Sequence, residues 1–228
     1  MKIAAVATDI DATLTGPDRV LSLAAVEALR LAEKNGIPVI LVSGNVLPVC
    51  HSLNVYLGLS GPIVAENGGV VFWKKGPHLE LLSDRKEADR SFEYLSRKMP
   101  MKKILTDRWR ETEVAVEEPG LDIHEVRRFL REGGFKLHVN STGYGIHIME
   151  PGLSKLKGLE KACAWLGMGR EAVLAIGDSE ADIEFLENCG FSGAPANAPP
   201  EVRAKAEYTA KLPFGEGAVE ILRHFKVI

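Results

Sequence analysis

Cysteine is scarce: Cys50, Cys163 and Cys189 are the three thiols in a chain of 228 residues. The number is odd and no two are close in sequence, which excludes a dense disulfide framework and gives no metal-ligand spacing. Reduced, buried thiols are the expectation. The six histidines show no metal spacing either. No apolar run approaches the roughly 20 residues of a membrane span. No basic patch followed by a long apolar stretch opens the chain, so neither a membrane partner nor a signal peptide is predicted, and a cytoplasmic location is expected. Excess positive charge is also missing, since the net charge is −3 and the pI about 6.1. That argues against a nucleic-acid partner, which would need clustered Lys and Arg. An anionic ligand would have to be held locally, by a few aimed donors or a metal. No internal repeat or low-complexity tract is visible.

What is present suits a globular protein of one large domain or two small ones, 46% hydrophobic and 26% charged. The first part alternates two periods. "KIAAVAT" (2–8) is a short, nearly all-apolar run, as in a strand buried on both faces. "SLAAVEALRLAEKNG" (22–36) has helical spacing, with Ser22 placed to cap it and Gly36 to end it. "IPVILVSG" (37–44) is a second buried strand, and 46–59 a helix with Pro48 in its first turn. "GPIVAENGGVVFW" (61–73) holds two strand-like runs around the hairpin signal Asn67-Gly68. After residue 153 the pattern resumes with helix 154–167, buried strand 172–178 and helix 179–190. Strand-like "SGAPAN" and "EYTAK" and a closing helix at 217–226 follow. This alternation predicts an α/β fold with a doubly wound, Rossmann-like parallel sheet.

Residues 80–152 differ in texture. A polar helix, "DRKEADRSFEYLSRKM", precedes the amphipathic strands "ETEVAVE" and "YGIHIME" on either side of a helix, "DIHEVRRFLREGG". In-out alternation fits a sheet with one wet face. The expectation is an α+β unit, 80–152, inserted into a core formed by 1–79 and 153–228, with Gly76-Pro77 and Pro151-Gly152 as punctuation at the crossings.

Ligands of open parallel sheets bind at the carboxyl ends of strands. There the first strand delivers Asp9 and Asp11 in "DIDAT", and the second delivers Ser43, Gly44 and Asn45 before a helix. The strand at 172–178 ends in Asp178, with Asp182 one helical turn on. Taken singly, each has an ordinary structural use: Asp9 and Asp11 as turn residues, Ser43 as a helix cap, Asp178 and Asp182 as caps complementing a helix dipole. Lys155 alone would be solvated surface, although it opens a helix and so sits at the electrostatically wrong end for a cation. Together they make a different pattern. Four carboxylates repel unless a cation sits among them, and oxygen-only ligands suit Mg²⁺. Ser43, Lys155 and the amides of residues 44–45 would hold phosphate oxygens. One carboxylate is then available to attack phosphorus, and its neighbour to move protons.

Those segments resemble the four motifs of the haloacid dehalogenase superfamily phosphatases: "DIDAT" (9–13), "VSGN" (42–45), "SKLKGL" (154–159) and "GDSEAD" (177–182). The resemblance implies that Asp9 is the nucleophile and a Mg²⁺ ligand. Asp11 would be the acid/base, with its carbonyl on the metal, and Thr13 would steady the loop. Ser43 and Lys155 would bind the phosphoryl group, with Gly44 and Asn45 lending their amides. Asp178 and Asp182 would serve the metal, the latter directly or through water. The insert is at the family's position for a C2-type cap that sets substrate specificity. "LPV", "GPIVAENGGV" and "ILTDRWRE" are similar to archaeal-type phosphoglycolate phosphatases. That implies a hydrolase of 2-phosphoglycolate acting on a small phosphorylated metabolite, as monomer or homodimer. A sugar phosphatase, a phosphomutase and a silent phospho-ligand binder remain alternatives. A dehalogenase would lack the second aspartate of D-x-D, and a response-regulator-like phosphoacceptor would lack the long insert. Two positions depart from the family: Ala12 stands where glycine is usual, and Ala181 where many relatives have Asn. The methyl of Ala12 predicts an Ala-compatible backbone with negative φ. Arg108, Trp109 and Arg110 are candidates for a substrate carboxylate or for plain packing. His147 is expected to face either a cleft or solvent.

Overall fold

The computed structural model describes residues 2–75, 78–142 and 145–228. The expected hinge at Gly76-Pro77, and Tyr144, lie outside them. The chain divides into two compact units, Met1–Glu80 with Ser154–Ile228, and Leu81–Leu153.

The first unit is built on strands β1 (Ala5–Thr8), β2 (Val39–Val42), β3 (Ile63–Ala65), β4 (Val70–Trp73) and β5 (His78–Leu81). In the second unit are β6 (Glu113–Glu117), β7 (His138–Ser141) and β8 (Gly145–Met149), and the first unit resumes with β9 (Val173–Ile176), β10 (Phe191–Ala194) and β11 (Tyr208–Thr209). Its sheet runs β11-β10-β9-β1-β2-β3-β4-β5. From β11 to β3 every pairing is parallel, and β4 returns antiparallel to β3. The apolar runs of β1, β2 and β9 are buried along their whole length, because helices cover both faces. On one side Val6, Leu41, Ile63 and Ile176 share a core with helix α1 (Leu23–Lys34) and the C-terminal helix at Phe214–His224. The residues between them point the other way: Val64 meets the helix at Lys155–Leu166. The chain leaves β1 toward β2 on one side and returns to its other side through β9. β1 and β9 therefore flank the switch point, where parallel sheets hold ligands.

Pro48 lies in the first turn of helix α2 (Leu47–Leu57), where its missing N–H costs nothing. The segment 179–190 is not one regular helix: a 3₁₀ turn, Glu180–Asp182, precedes a short helix, Ile183–Asn188. Asn67-Gly68 does join β3 to β4, but through a longer turn than the two-residue kind. Glu66, Asn67 and Gly68 all have positive φ, and Glu66 and Asn67 are buried. The cysteines form no disulfide; Cys50 and Cys163 are buried and Cys189 partly so.

The second unit is an antiparallel sheet, β6-β8-β7, with helices α3 (Lys86–Leu95) and α4 (Ile123–Glu132). Val114, Val116, Ile146 and Ile148 point to one face and close a core with Ala88, Leu95, Val126 and Leu130. The alternate residues Glu113 and His147 take the other face.

Candidate active site

β1 ends at Thr8, and Asp9 N donates to Ile176 O of β9 at 2.9 Å, so the first acid is fixed at the switch point by the sheet itself. The chain then turns through residues 10–15, with the amides of Thr13, Leu14 and Thr15 all donating to Ile10 O. Ala12 has φ +55°. The expected negative φ is thus corrected: the loop keeps the left-handed geometry that glycine would adopt freely, at a cost to alanine of about 1 kcal/mol. Ala12 is held there from both ends, its N–H on Thr15 Oγ1 at 3.0 Å and its carbonyl on Asn197 Nδ2 at 2.9 Å.

Lys155 is the first residue of helix α5 (Lys155–Leu166), which Ser154 caps. Its ammonium is buried and donates to Asp9 Oδ1 at 2.8 Å and Asp182 Oδ1 at 2.6 Å. Those carboxylates hold its pKa above the usual lysine value despite burial. Asp182 is fully engaged. Its other oxygen accepts from the amides of Asp178 and Ser179 and from Ser179 Oγ, at 3.0, 2.8 and 2.7 Å. It fixes both the lysine and the loop that carries Asp178. Thr13 Oγ1 donates to Asp178 Oδ1 at 2.6 Å, tying the β1 and β9 loops together.

Asp9, Asp178 and Asp182 each bring a carboxylate oxygen within 4.8 Å of the others. Burial pushes Asp9 well above the ordinary carboxylate range, with Asp182 and Asp178 adding to the effect against the pull of Lys155. Burial and Asp182 raise Asp178 to about 6. Three carboxylates share one ammonium, a deficit of two positive charges. Hard oxygen donors with that deficit fit a divalent ion such as Mg²⁺.

The side chain of Asp11 is not in this cluster. Its Oδ2 accepts from Asn45 Nδ2 at 2.6 Å, and its Oδ1 pairs with Arg19 Nε at 3.0 Å. Ser43 is buried and does not cap α2, whose first flanking residue is Val46. Ser43 Oγ accepts from Asn45 N at 3.0 Å, so that amide, expected to face a phosphate, is turned to the serine. Gly44 lies against Asn67: a Cβ there would sit 2.9 Å from Asn67 Oδ1.

Sequence reasoning missed three contributors. The turn at 66–69 docks on the 43–45 loop through Asn67 N to Ser43 O and Glu66 N to Asn45 O, and Gly68 packs on the carbonyl of Ser154. Asn67-Gly68 was legible as a turn, but not as a wedge between two motifs. Asn197, which fixes Ala12, and Arg19, which pairs with Asp11, carried no signal beyond being polar.

The four candidates in the second unit do not form one cluster. Arg110 and His147 are both buried on Glu113, His147 Nδ1 at 2.9 Å from Glu113 Oε1. His147 therefore does not face solvent. The Arg108 guanidinium lies 5.5 Å from the half-exposed Trp109 ring.

Comparison with known proteins gives a family, curated relatives and a shared fold. Residues 6–108 and 121–222 match the haloacid dehalogenase-like hydrolases. The phosphoglycolate phosphatase of Methanothermobacter thermautotrophicus is 41% identical over 221 residues, covering 97% of this chain and 98% of the relative. That of Thermoplasma volcanium is 35% identical, with 98% of each chain covered. A crystal structure of a Thermoplasma acidophilum protein, 32% identical, superposes over the whole of both chains with a TM-score of 0.92. A subclass IIB sugar phosphatase, at 18% identity and a TM-score of 0.81, shares the fold.

Proposed function

Because the chain belongs to the haloacid dehalogenase-like hydrolases and is a phosphatase, we propose that it is a Mg²⁺-dependent phosphomonoesterase. We propose 2-phosphoglycolate as its substrate and phospho-Asp9 as its intermediate. The observation that carries the reading is the convergence of Asp9, Asp178, Asp182 and Lys155 at the switch point, three acids around one buried cation. The substrate rests on the phosphoglycolate phosphatases matched over nearly their whole length.

Asp9 and Asp178, with the Asp11 carbonyl, would hold the ion, and Asp182 would support it through the loop it anchors. When bound, the ion offsets the charge of the carboxylates and of the phosphoryl oxygens, so that an anionic nucleophile can approach an anionic ester. Lys155 holds Asp9 in place and stabilises the phosphoryl oxygens together with Ser43. The Asp9 carboxylate attacks phosphorus as the bond to the ester oxygen breaks, and Asp11 gives that oxygen a proton. Asp11, now a carboxylate, takes a proton from water, whose oxygen attacks the same phosphorus. The bond from phosphorus to Asp9 breaks, and inorganic phosphate leaves. Asn45 holds one oxygen of Asp11 and so aims the acid, while Arg19 holds the other in the ligand-free protein.

A panel of phosphate esters with Mg²⁺ tests the reading. Phosphoglycolate should give the highest kcat/KM, and a clear preference for sugar phosphates would remove it as substrate. Asp9→Asn should lower hydrolysis of an aryl phosphate by at least about 10³-fold, the scale lost with a covalent nucleophile. Appreciable remaining turnover would refute the role of Asp9.

A further inference from the structure

We propose that Arg19 selects phosphate esters bearing a second, carboxylate group, by exchanging the carboxylate of Asp11 for that of the substrate. The inference rests on the reading of Asp11 as the group that protonates the leaving oxygen.

Arg19 belongs to a tight hairpin loop closed by a bridge between Thr15 and Leu21. Arg19 N donates to Gly16 O across Pro17-Asp18, and Gly16 N to Val20 O. At φ +62°, Arg19 occupies the position after such a turn that glycine or asparagine fills at least cost. The strained residue is the one whose side chain reaches back to the site, with Nε 3.0 Å from Asp11 Oδ1. Strain of this kind persists where surrounding structure maintains it, and it gathers at functional sites.

Geometry then connects Arg19 to the leaving group. To pass a proton, Asp11 must lie within about 3 Å of the ester oxygen. In phosphoglycolate the carboxylate carbon is two covalent bonds from that oxygen. A carboxylate so tethered comes within reach of a guanidinium that already touches Asp11. Lys155 is the wrong cation for this task, being buried and bonded to Asp9 and Asp182. The Arg19–Asp11 pair, by contrast, is open to solvent, with side chains 49% and 27% exposed. An ion pair so placed is weak and easily exchanged for a second carboxylate, which the planar guanidinium can grip with two parallel hydrogen bonds. The exchange conserves charge at Arg19 and leaves Asp11 with Asn45, facing the ester oxygen.

The test compares kcat/KM for phosphoglycolate and for ethyl phosphate, which has the same two carbons but no carboxylate, with Mg²⁺. Arg19→Gly suits the left-handed backbone and removes the side chain, and Arg19→Lys keeps the charge but not the fork. Ethyl phosphate leaves the pairing of Arg19 to Asp11 in place, so it reports what the loss of that pairing does, and the ratio isolates the substrate carboxylate. The ratio should fall by about 30-fold in Arg19→Gly, the scale of a lost charged hydrogen bond, mainly through KM, and Arg19→Lys should recover part of it. An unchanged ratio, even with both rates reduced, would overturn the proposal. The substrate reading fails separately, if the wild-type protein prefers sugar phosphates. The phosphoglycerates against the glycerol phosphates then give the ratio that Arg19→Gly must lower.

Discussion

Asp178 is a carboxyl that the fold holds at about 6, against an ordinary value of 3.8. The folded protein keeps this proton between about pH 4 and 6, where the unfolded chain has lost it. Without metal, the contribution of Asp178 to stability therefore falls as pH rises through that window, and the full cost, on the order of 3 kcal/mol, is reached above pH 6. Asp178→Asn removes the charge and keeps the shape. In EDTA it should melt several degrees above wild type at pH 7.5 and at the same temperature near pH 4. Added Mg²⁺ should raise the melting temperature of the wild type but not of the variant. A variant less stable than wild type at pH 7.5 without metal would contradict this account. At this scale the grouping of Asp9, Asp178, Asp182 and Lys155 was readable, because buried charge is unfavourable and calls for a partner. Ala12 was not, since its methyl argues for negative φ, and the bonds that overrule it come from Thr15 and from Asn197, 185 residues away.

Helix α5 sets the position of Lys155, and Gly158, one turn along, sets how close the helix lies. A methyl at 158 would overlap Val64 Cγ1 and come within 2.8 Å of Gly68 Cα, where backbone cannot yield. Gly158→Ala should cost about 1–3 kcal/mol by overpacking. It should also lower kcat/KM, because the helix end carrying the ammonium moves from Asp9. Thermal unfolding and steady-state kinetics check both, and an unaltered kcat/KM would show that the lysine does not depend on this approach. Periodicity located α1, α2, α5 and the buried strands well, since each has one apolar pattern and a clear stop. It failed at 179–190, where Asp182 turns its carboxylate back onto the amides of Asp178 and Ser179 and a 3₁₀ turn replaces the first turn of helix. The short strands β5 and β7 carried too few apolar residues to stand out.

On the scale of the molecule, each unit has its own apolar core. Leu130, fully buried in the core of the second unit, tests that independence. Leu130→Ala should cost about 2–5 kcal/mol, and the loss of amide-exchange protection should concentrate in residues 81–153. Equal loss in β1 and β9 would indicate a single cooperative unit. The two textures of the sequence, all-apolar strands outside and alternating strands inside the middle segment, were legible because a sheet covered on both faces and one with an apolar and a polar face need different patterns.

The place of β1 between β2 and β9 has a consequence for synthesis. The ribosome releases Asp9 early, but the strand that completes its sheet neighbourhood starts at Val173, and Lys155, Asp178 and Asp182 also follow the inserted segment. Residues 81–153 are continuous and can fold as they emerge, since domains fold as units in order of appearance. The first unit must wait, its apolar strands held open until the last third of the chain arrives. The candidate site is therefore among the last things that translation assembles, and a truncated chain that ends before β9 has Asp9 but not its partners.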